Sequence, residues 1–320
     1  MSNVKVSVLV PVYGVEHYIE RCARSLFGQT MTEGIEFIFT DDATPDRSIE
    51  ILLETLEDYP ERKSQVTILR HEHNRGLGAT RKTGFRAARG EYIIHCDSDD
   101  WVEPQMYELM YAEAKRIDAD MVGCHYIDEL KNISIKRQPQ FEQSSLQRLK
   151  IALFNNRANA VMTLLWMIMF RKSFYKKVGV DIPEINYGED IIITIPAHAL
   201  ARSIGVVPQA LYHYDRSNPD SITNTRLSEQ SLDDLIIAGN FLVDFIYENY
   251  DDKDIERALC QRIWGIKRHL VRDRCHYNPD RFRELWKEIP VEKYISFKSR
   301  IILFLARIKF DSFLKLLSNH

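Results

Sequence analysis

Three acidic clusters carry most of the chemistry legible in this chain. In Asp97-Ser98-Asp99, residues i and i+2 of an extended segment point to the same side, so two carboxylates converge on one point. Converging carboxylates repel unless a positive charge sits between them. Mg²⁺ commonly takes one or two carboxylates and completes its shell with substrate phosphates. Asp100 brings the count to three acids in four residues. A helix N-cap at Asp99 or Asp100, ahead of a helix starting at Pro104, needs one acid. The excess favours a metal. Asp41-Asp42 offers acceptors for a base N–H or a ribose hydroxyl, or else an Asx-turn before Pro45. Glu189-Asp190 opens a helical pattern. Acids there suit the helix dipole, and one of them can act as a general base toward an attacking hydroxyl.

Weaker signals surround these. Tyr13, in Pro11-Val12-Tyr13, offers a ring to a nucleobase or packs on a sheet edge. The run NRGLGATRKTG from Asn74 to Gly84 has neither G-x-G-x-x-G spacing nor G-K-[ST], so it is not a P-loop. Its Arg75, Arg81 and Lys82 can still place positive charge near a nucleotide. His71-Glu72-His73 reads as a surface loop rather than a metal cluster. His213 is either a third metal ligand or a satisfied core histidine.

The elements that must position these residues alternate. Strands are expected at 4–10, 35–40, 66–69, 92–96, 121–126 and 206–214. Helical spacing follows at 15–26, from Thr44-Pro45 to about 56, at 76–89, at 104–117 and at 191–200, where Pro196 should kink or shorten the helix. The stretch 127–160 reads as a polar excursion, and 160–170 fits strand or helix. From Ser228 the pattern is helical. Alternating strands and helices imply a doubly wound, mostly parallel α/β sheet, which binds ligands beyond the carboxyl ends of its strands. Pro11–Gly14, Asp41-Asp42 and Asp97–Asp100 all fall at such ends. The expected division is a domain at 1–225, with halves at about 1–126 and 127–225, and a helical region at 226–320.

The chain has 320 residues, 45% hydrophobic and 28% charged, which excludes disorder and disulfide-stapled scaffolds. A net charge of −3 provides no global field for nucleic acid, so no nucleic-acid partner is expected. Five cysteines with no C-x-x-C favour reduced thiols and a cytoplasmic location. The N-terminal apolar run is short, ends at Pro11 and reads as a strand rather than a signal peptide.

Taken together, VSVLVPVYGVEHYIERCARSLFGQT, EFIFTDDATPDRS, NRGLGATRKTGFRAARGEYIIHCDSDDWVEP, YGEDIII and LYHYDRSNPDSIT resemble glycosyltransferase family 2, inverting enzymes of the GT-A fold. The five stretches stand in the family's order over residues 4–225. The resemblance implies a GT-A domain with a C-terminal helical extension. By position it assigns Pro11, Val12, Tyr13 and Asp42 to the nucleobase and ribose, with Arg81, Asp97 and Ser98 in the same nucleotide-sugar site. Asp99 and Asp97 would hold Mg²⁺ or Mn²⁺, Asp190 would be the catalytic base, and Glu189 would bind the acceptor. Gly14 and Lys82 replace asparagines usual in the family. The implied reaction moves a sugar, from a UDP-sugar donor, to a hydroxyl of a glycan or lipid-linked acceptor in cell-surface polysaccharide assembly.

Two rivals remain. A nucleotidyltransferase would carry a Gly-rich basic loop after the first strand, where PVYGVEHY stands instead. A non-catalytic sugar-nucleotide binder or scaffold would not need both Asp99 and Asp190. The stretch 296–317 is a basic amphipathic helix that either lies in an anionic membrane interface, giving peripheral contact at the inner face of the membrane, or docks on the core or a second subunit.

Overall fold

A computed structural model describes residues 4–139, 144–153, 164–178, 183–218, 221, 228–272, 282 and 284–307. The chain divides into two compact units: 1–148 with 161–225, and 149–160 with 226–320.

The first unit is a nine-stranded sheet in the order β3-β2-β1-β4-β8-β6-β9-β5, with β7 paired to β6. Four parallel strands form one side: β1 (Val6–Val12), β2 (Ile35–Asp41), β3 (Val66–Arg70) and β4 (Tyr92–His95). β8 (Ile168–Arg171) runs antiparallel between β4 and β6 (Met121–Leu130). β9 (Ile204–Asp215) pairs parallel with β6, and the two-residue β5 (Trp101–Val102) pairs antiparallel with β9. The carboxyl ends of β1, β2, β4 and β9 therefore share one edge. β1 and β2 are buried on both faces, as their continuous Val, Ile and Phe runs dictate.

Helices α1 (Ile19–Phe27), α2 (Ser48–Glu57), α3 (Leu77–Ala87), α4 (Met106–Arg116), α6 (Lys172–Val178) and α7 (Glu189–Leu200) complete this unit. α1 buries Ile19, Cys22, Ala23, Leu26 and Phe27, the spacing of one helical stripe.

Several expectations are corrected. β1 continues through Pro11 and Val12, which pair with Thr40 and Asp41, because its buried position keeps the chain extended. α2 begins at Ser48, not Pro45. Asp46 organises the preceding turn by accepting from the Thr44 hydroxyl, the Ser48 hydroxyl and the Glu16 amide. The polar excursion contains a hairpin, with β6 reaching Leu130 and turning into β7 (Ile133–Arg137), and then helix α5 (Ser145–Leu153). Pro196 lies within an unbroken α7.

The second unit contains α8 (Glu229–Asn249), α9 (Lys253–Arg272), the one-turn α10 (Val291–Tyr294) and α11 (Phe297–Arg307). Ser228 caps α8 by accepting from the Ser231 amide. Gly239 on α8 lets Trp286 approach, since a Cβ there would lie 2.3 Å from the indole ring. The indole then donates to Asn240 at 2.8 Å. No helix among the described residues is long and apolar enough to cross a membrane. Cys22, Cys96, Cys124 and Cys260 are buried free thiols, while Cys275 lies outside the described residues.

Candidate active site

Asp97–Asp100 forms a turn directly after β4, closed by the Asp100 amide donating to the Asp97 carbonyl at 3.1 Å. Asp100 caps no helix. Its carboxylate accepts from the Tyr212 hydroxyl at 2.6 Å and the Asp215 amide at 2.7 Å, both at the end of β9. The Tyr212 hydroxyl in turn accepts from the Asp97 amide at 3.1 Å, so one phenol ties both ends of the acidic turn. Complete burial, then the charges of Asp99 and Asp97, pushes the Asp100 carboxyl well up.

Asp97 and Asp99 face different partners. The Arg81 guanidinium donates to Asp97 Oδ1 at 2.9 Å, and Asn218 donates to Asp99 Oδ2 at 3.0 Å. Burial, then repulsion from Asp97, raises the Asp99 carboxyl to about 6. Ser98 between them is buried. Arg21 on α1 braces the turn from outside, donating to the Asp99 carbonyl and to the Asp215 carboxylate, each at 2.6 Å. It also lies 3.8 Å over the Trp101 ring, which is stacked on His213 at 4.8 Å between ring centroids.

Arg81 links this turn to the helix start. It is 4% exposed, and its Nε lies 3.3 Å from Glu189 Oε1. Burial opposes the guanidinium charge, yet Asp97 and Glu189 together hold its pKa above the ordinary arginine value. Glu189 is buried, and desolvation raises its carboxyl to about 8 against the pull of Arg81. Asp190 is half-buried at the first turn of α7. Gly188, at φ 89°, provides the left-handed residue that starts the helix.

The glycines of NRGLGATRKTG have a packing purpose. The Gly78 amide donates to the Ile185 carbonyl at 2.9 Å, and a Cβ on Gly78 would lie 2.6 Å from that oxygen. The Leu77 amide donates to Asn186 at 2.8 Å. Thus the start of α3, which carries Arg81, is seated against the segment leading to Glu189 and Asp190.

The nucleotide end is arranged differently. Asp42 is buried and accepts from the amides of Arg75 and Gly76 and from His71 Nδ1 at 2.6 Å. His71 Nε2 meets the Thr83 hydroxyl at 2.9 Å. His71 is therefore buried, which corrects the surface-loop expectation. The turn that follows β2 is held by Asp41, whose carboxylate accepts from the Thr44 amide three residues on at 2.8 Å. Pro11 and Val12 lie within β1, while Tyr13 stands 50% exposed beyond it.

His213 has both ring nitrogens engaged, with Glu129 at 2.8 Å and Glu103 at 3.0 Å. Two carboxylates thus brace its ring. Among the described residues no set of three His, Cys, Asp or Glu side chains forms a metal cluster. Asp97 and Asp99 fit a cation whose shell a substrate completes: both are oxygen donors, and their mutual repulsion is relieved by a positive charge. Arg21, Tyr212, Asp215 and Asn218 are the residues that residue-by-residue reading missed. The last three lie within LYHYDRSNPDSIT, whose recurrence in the family was the available signal.

Comparisons with known proteins agree with this geometry. The chain is 33% identical over 222 residues to the uncharacterized glycosyltransferase EpsJ of Bacillus subtilis, covering 68% of this chain and 62% of EpsJ. It is 30% identical over 214 residues to the poly(ribitol-phosphate) beta-glucosyltransferase of Bacillus spizizenii, covering 66% of this chain and 32% of that protein. The chain thus spans less than two thirds of the length of these curated relatives. The structure of S. aureus TarS 1–349 in complex with UDP-GlcNAc superposes over 99% of this chain and 91% of that 1–349 chain, with a TM-score of 0.71 at 19% identity, and shares the GT-A fold. The mannosyltransferase PcManGT of Pyrobaculum calidifontis, in complex with GDP-Man and Mn²⁺, covers 98% of this chain and 84% of its own, with a TM-score of 0.50 at 12% identity. The model for "Glycosyl transferase family 2" matches residues 7–179, and with the acidic turn after β4 in place the chain belongs to that family.

Proposed function

We propose that this protein transfers a sugar from a UDP-sugar to a hydroxyl of a glycan or lipid-linked acceptor, with inversion, in the cytoplasmic assembly of a cell-surface polysaccharide. The observation that carries the proposal is the bridge through Arg81. One buried cation contacts Asp97 of the acidic turn and Glu189 beside Asp190. A donor-holding group and a base-bearing helix start are thereby fixed to each other. The names of the Bacillus relatives and the UDP-GlcNAc bound to TarS support the polysaccharide and UDP parts of the reading.

Asp97 and Asp99 would hold Mg²⁺ or Mn²⁺, which when bound neutralises charge on the departing diphosphate. The chain does the rest. Tyr13, next to Pro11 and Val12, offers an exposed ring to the base. Asp42 shapes the wall of the nucleotide site by fixing the 71–76 loop, and its contact with the nucleotide runs through that loop. Ser98 and Arg81 complete the donor site. Asp190 takes the proton from the acceptor hydroxyl as it attacks the anomeric carbon from the opposite face, and Glu189 orients the acceptor. A glycosidase instead pairs two carboxylates around the bond and uses water.

Calorimetric titration with UDP, with and without Mn²⁺, tests the donor site. A panel of nucleotide sugars assayed for UDP release identifies the sugar. Metal-dependent UDP binding together with UDP release that requires Asp190 is the expected result. Undiminished turnover in Asp190→Asn removes the base assignment, and absence of any nucleotide binding removes the proposal.

A further inference from the structure

Helix α11 has two apolar faces where a docked terminal helix needs one. Leu303 and Ala306 are buried, so one face of the helix is covered. On the other side Phe297 is 77% exposed, Ile301 38% and Phe304 60%. Their spacing of four and three residues places them in one line, and at 100° per residue that line lies opposite Leu303 and Ala306. Isolated apolar side chains on a surface are ordinary, but a row of three on one helix is a patch that water disfavours.

The charges around this row are one-sided. Lys298 projects on one flank of the stripe and Arg300 on the other, and the helix contains no acid. The chain as a whole is slightly acidic, so this local excess of cations stands out. Beside the start of α11 lies a cleft of about 560 Å³ lined by Arg257, Gln261, Lys293, Tyr294, Ile295 and Ser296. Lys293 shares its charge with Glu256 at 3.7 Å, and Tyr294 donates to the same carboxylate. Arg257 and Lys293 still put two cations on a cleft that adjoins the apolar row.

The geometry points to this face as a docking surface for an anionic lipid bilayer. Phe297, Ile301 and Phe304 enter the acyl boundary, Lys298 and Arg300 reach the headgroup phosphates along their flexible stems, and the cleft accepts a headgroup. A second copy of this chain would bring the same cations against themselves, which charge disfavours. The inference does not depend on the proposed transferase activity.

Co-sedimentation of the full chain with vesicles tests it. Vesicles of equal parts phosphatidylcholine and phosphatidylglycerol should retain the protein, pure phosphatidylcholine should not, and added salt should release it. Phe297→Ser and Phe304→Ser should each weaken binding about 10-fold. Lys298→Gln and Arg300→Gln should each weaken it about fivefold. Leu53→Ser, at an exposed apolar side chain of α2, should leave it unchanged. All of these positions are solvent-exposed, and unaltered circular dichroism confirms that the variants fold. The proposal is overturned if anionic vesicles retain nothing, if neutral vesicles bind equally, or if Phe297→Ser and Phe304→Ser bind as before. A dimer in sedimentation that disappears in Phe297→Ser also overturns it, by making a second copy the occupant.

Discussion

Adjacent carboxylates occur twice in the site, and the two groups are held in different ways. At the end of β4 the acids sit in a turn that other elements brace from several sides: Tyr212 and Asp215 hold Asp100, Asn218 holds Asp99, and Arg21 grips the Asp99 carbonyl. At the start of α7 a local turn is joined by one cation from a distant helix. Gly188 turns the chain, and Arg81 is the cation beside Glu189. The first group is thereby held by residues from distant parts of the chain. The second is built so that one acid is desolvated while the next meets solvent. Burial pushes the Glu189 carboxyl up, while Asp190 beside it is only half-buried, so neighbouring acids stand in unlike surroundings.

Replacing the more exposed acid tests that contrast most severely. Asp190→Asn should lower kcat by about 10²–10⁴ while leaving the KM for the donor nearly unchanged, read from initial rates of UDP release. An equal loss in Glu189→Gln would erase the distinction between the two residues. Removing the link between the groups comes next. Arg81→Met leaves Glu189 without its cation and should cost about 3–5 kcal/mol in denaturant unfolding.

A pH series probes burial alone. The folded pKa of Glu189, about 8, lies above its ordinary value of 4.5. The folded protein therefore binds more protons than the unfolded chain between those values. Its stabilising contribution is complete below about pH 4.5 and is lost as pH rises through 8, with a slope of at most ~1.4 kcal/mol per pH unit. Glu189→Gln should flatten that slope in thermal unfolding. The smallest effect belongs to the bracing. Tyr212→Phe removes the donor to Asp100 and the acceptor for the Asp97 amide, and should cost about 1–3 kcal/mol in the same unfolding assay.

Much of this was legible in the chain itself because its signals are local. Val6–Val12 and Ile35–Asp41 are apolar runs whose burial follows from composition, and Asp97-Ser98-Asp99 is visible as an acidic cluster just past a strand, although it lies in a turn where the two carboxylates take different partners and not in an alternating extended segment. The bracing was not legible because it is long-range. Tyr212 meets Asp100 across 112 positions and Arg21 meets Asp215 across 194, distances over which no spacing rule operates. His71 shows the same limit. In sequence it sits in a polar triplet, and only the register of β2 against β3 brings Asp42 to its ring. The glycines at 76 and 78 are visible as letters, but the carbonyl that forbids a side chain at Gly78 comes from residue 185.

The layered arrangement of Arg21, Trp101 and His213 carries a practical consequence. It places one of four indoles in the chain one residue beyond the acidic turn, in contact with a guanidinium and an imidazole. A movement of the turn relative to either neighbour would change the surroundings of that indole. Its emission is therefore expected to respond if a ligand shifts the turn, a change readable without a dye.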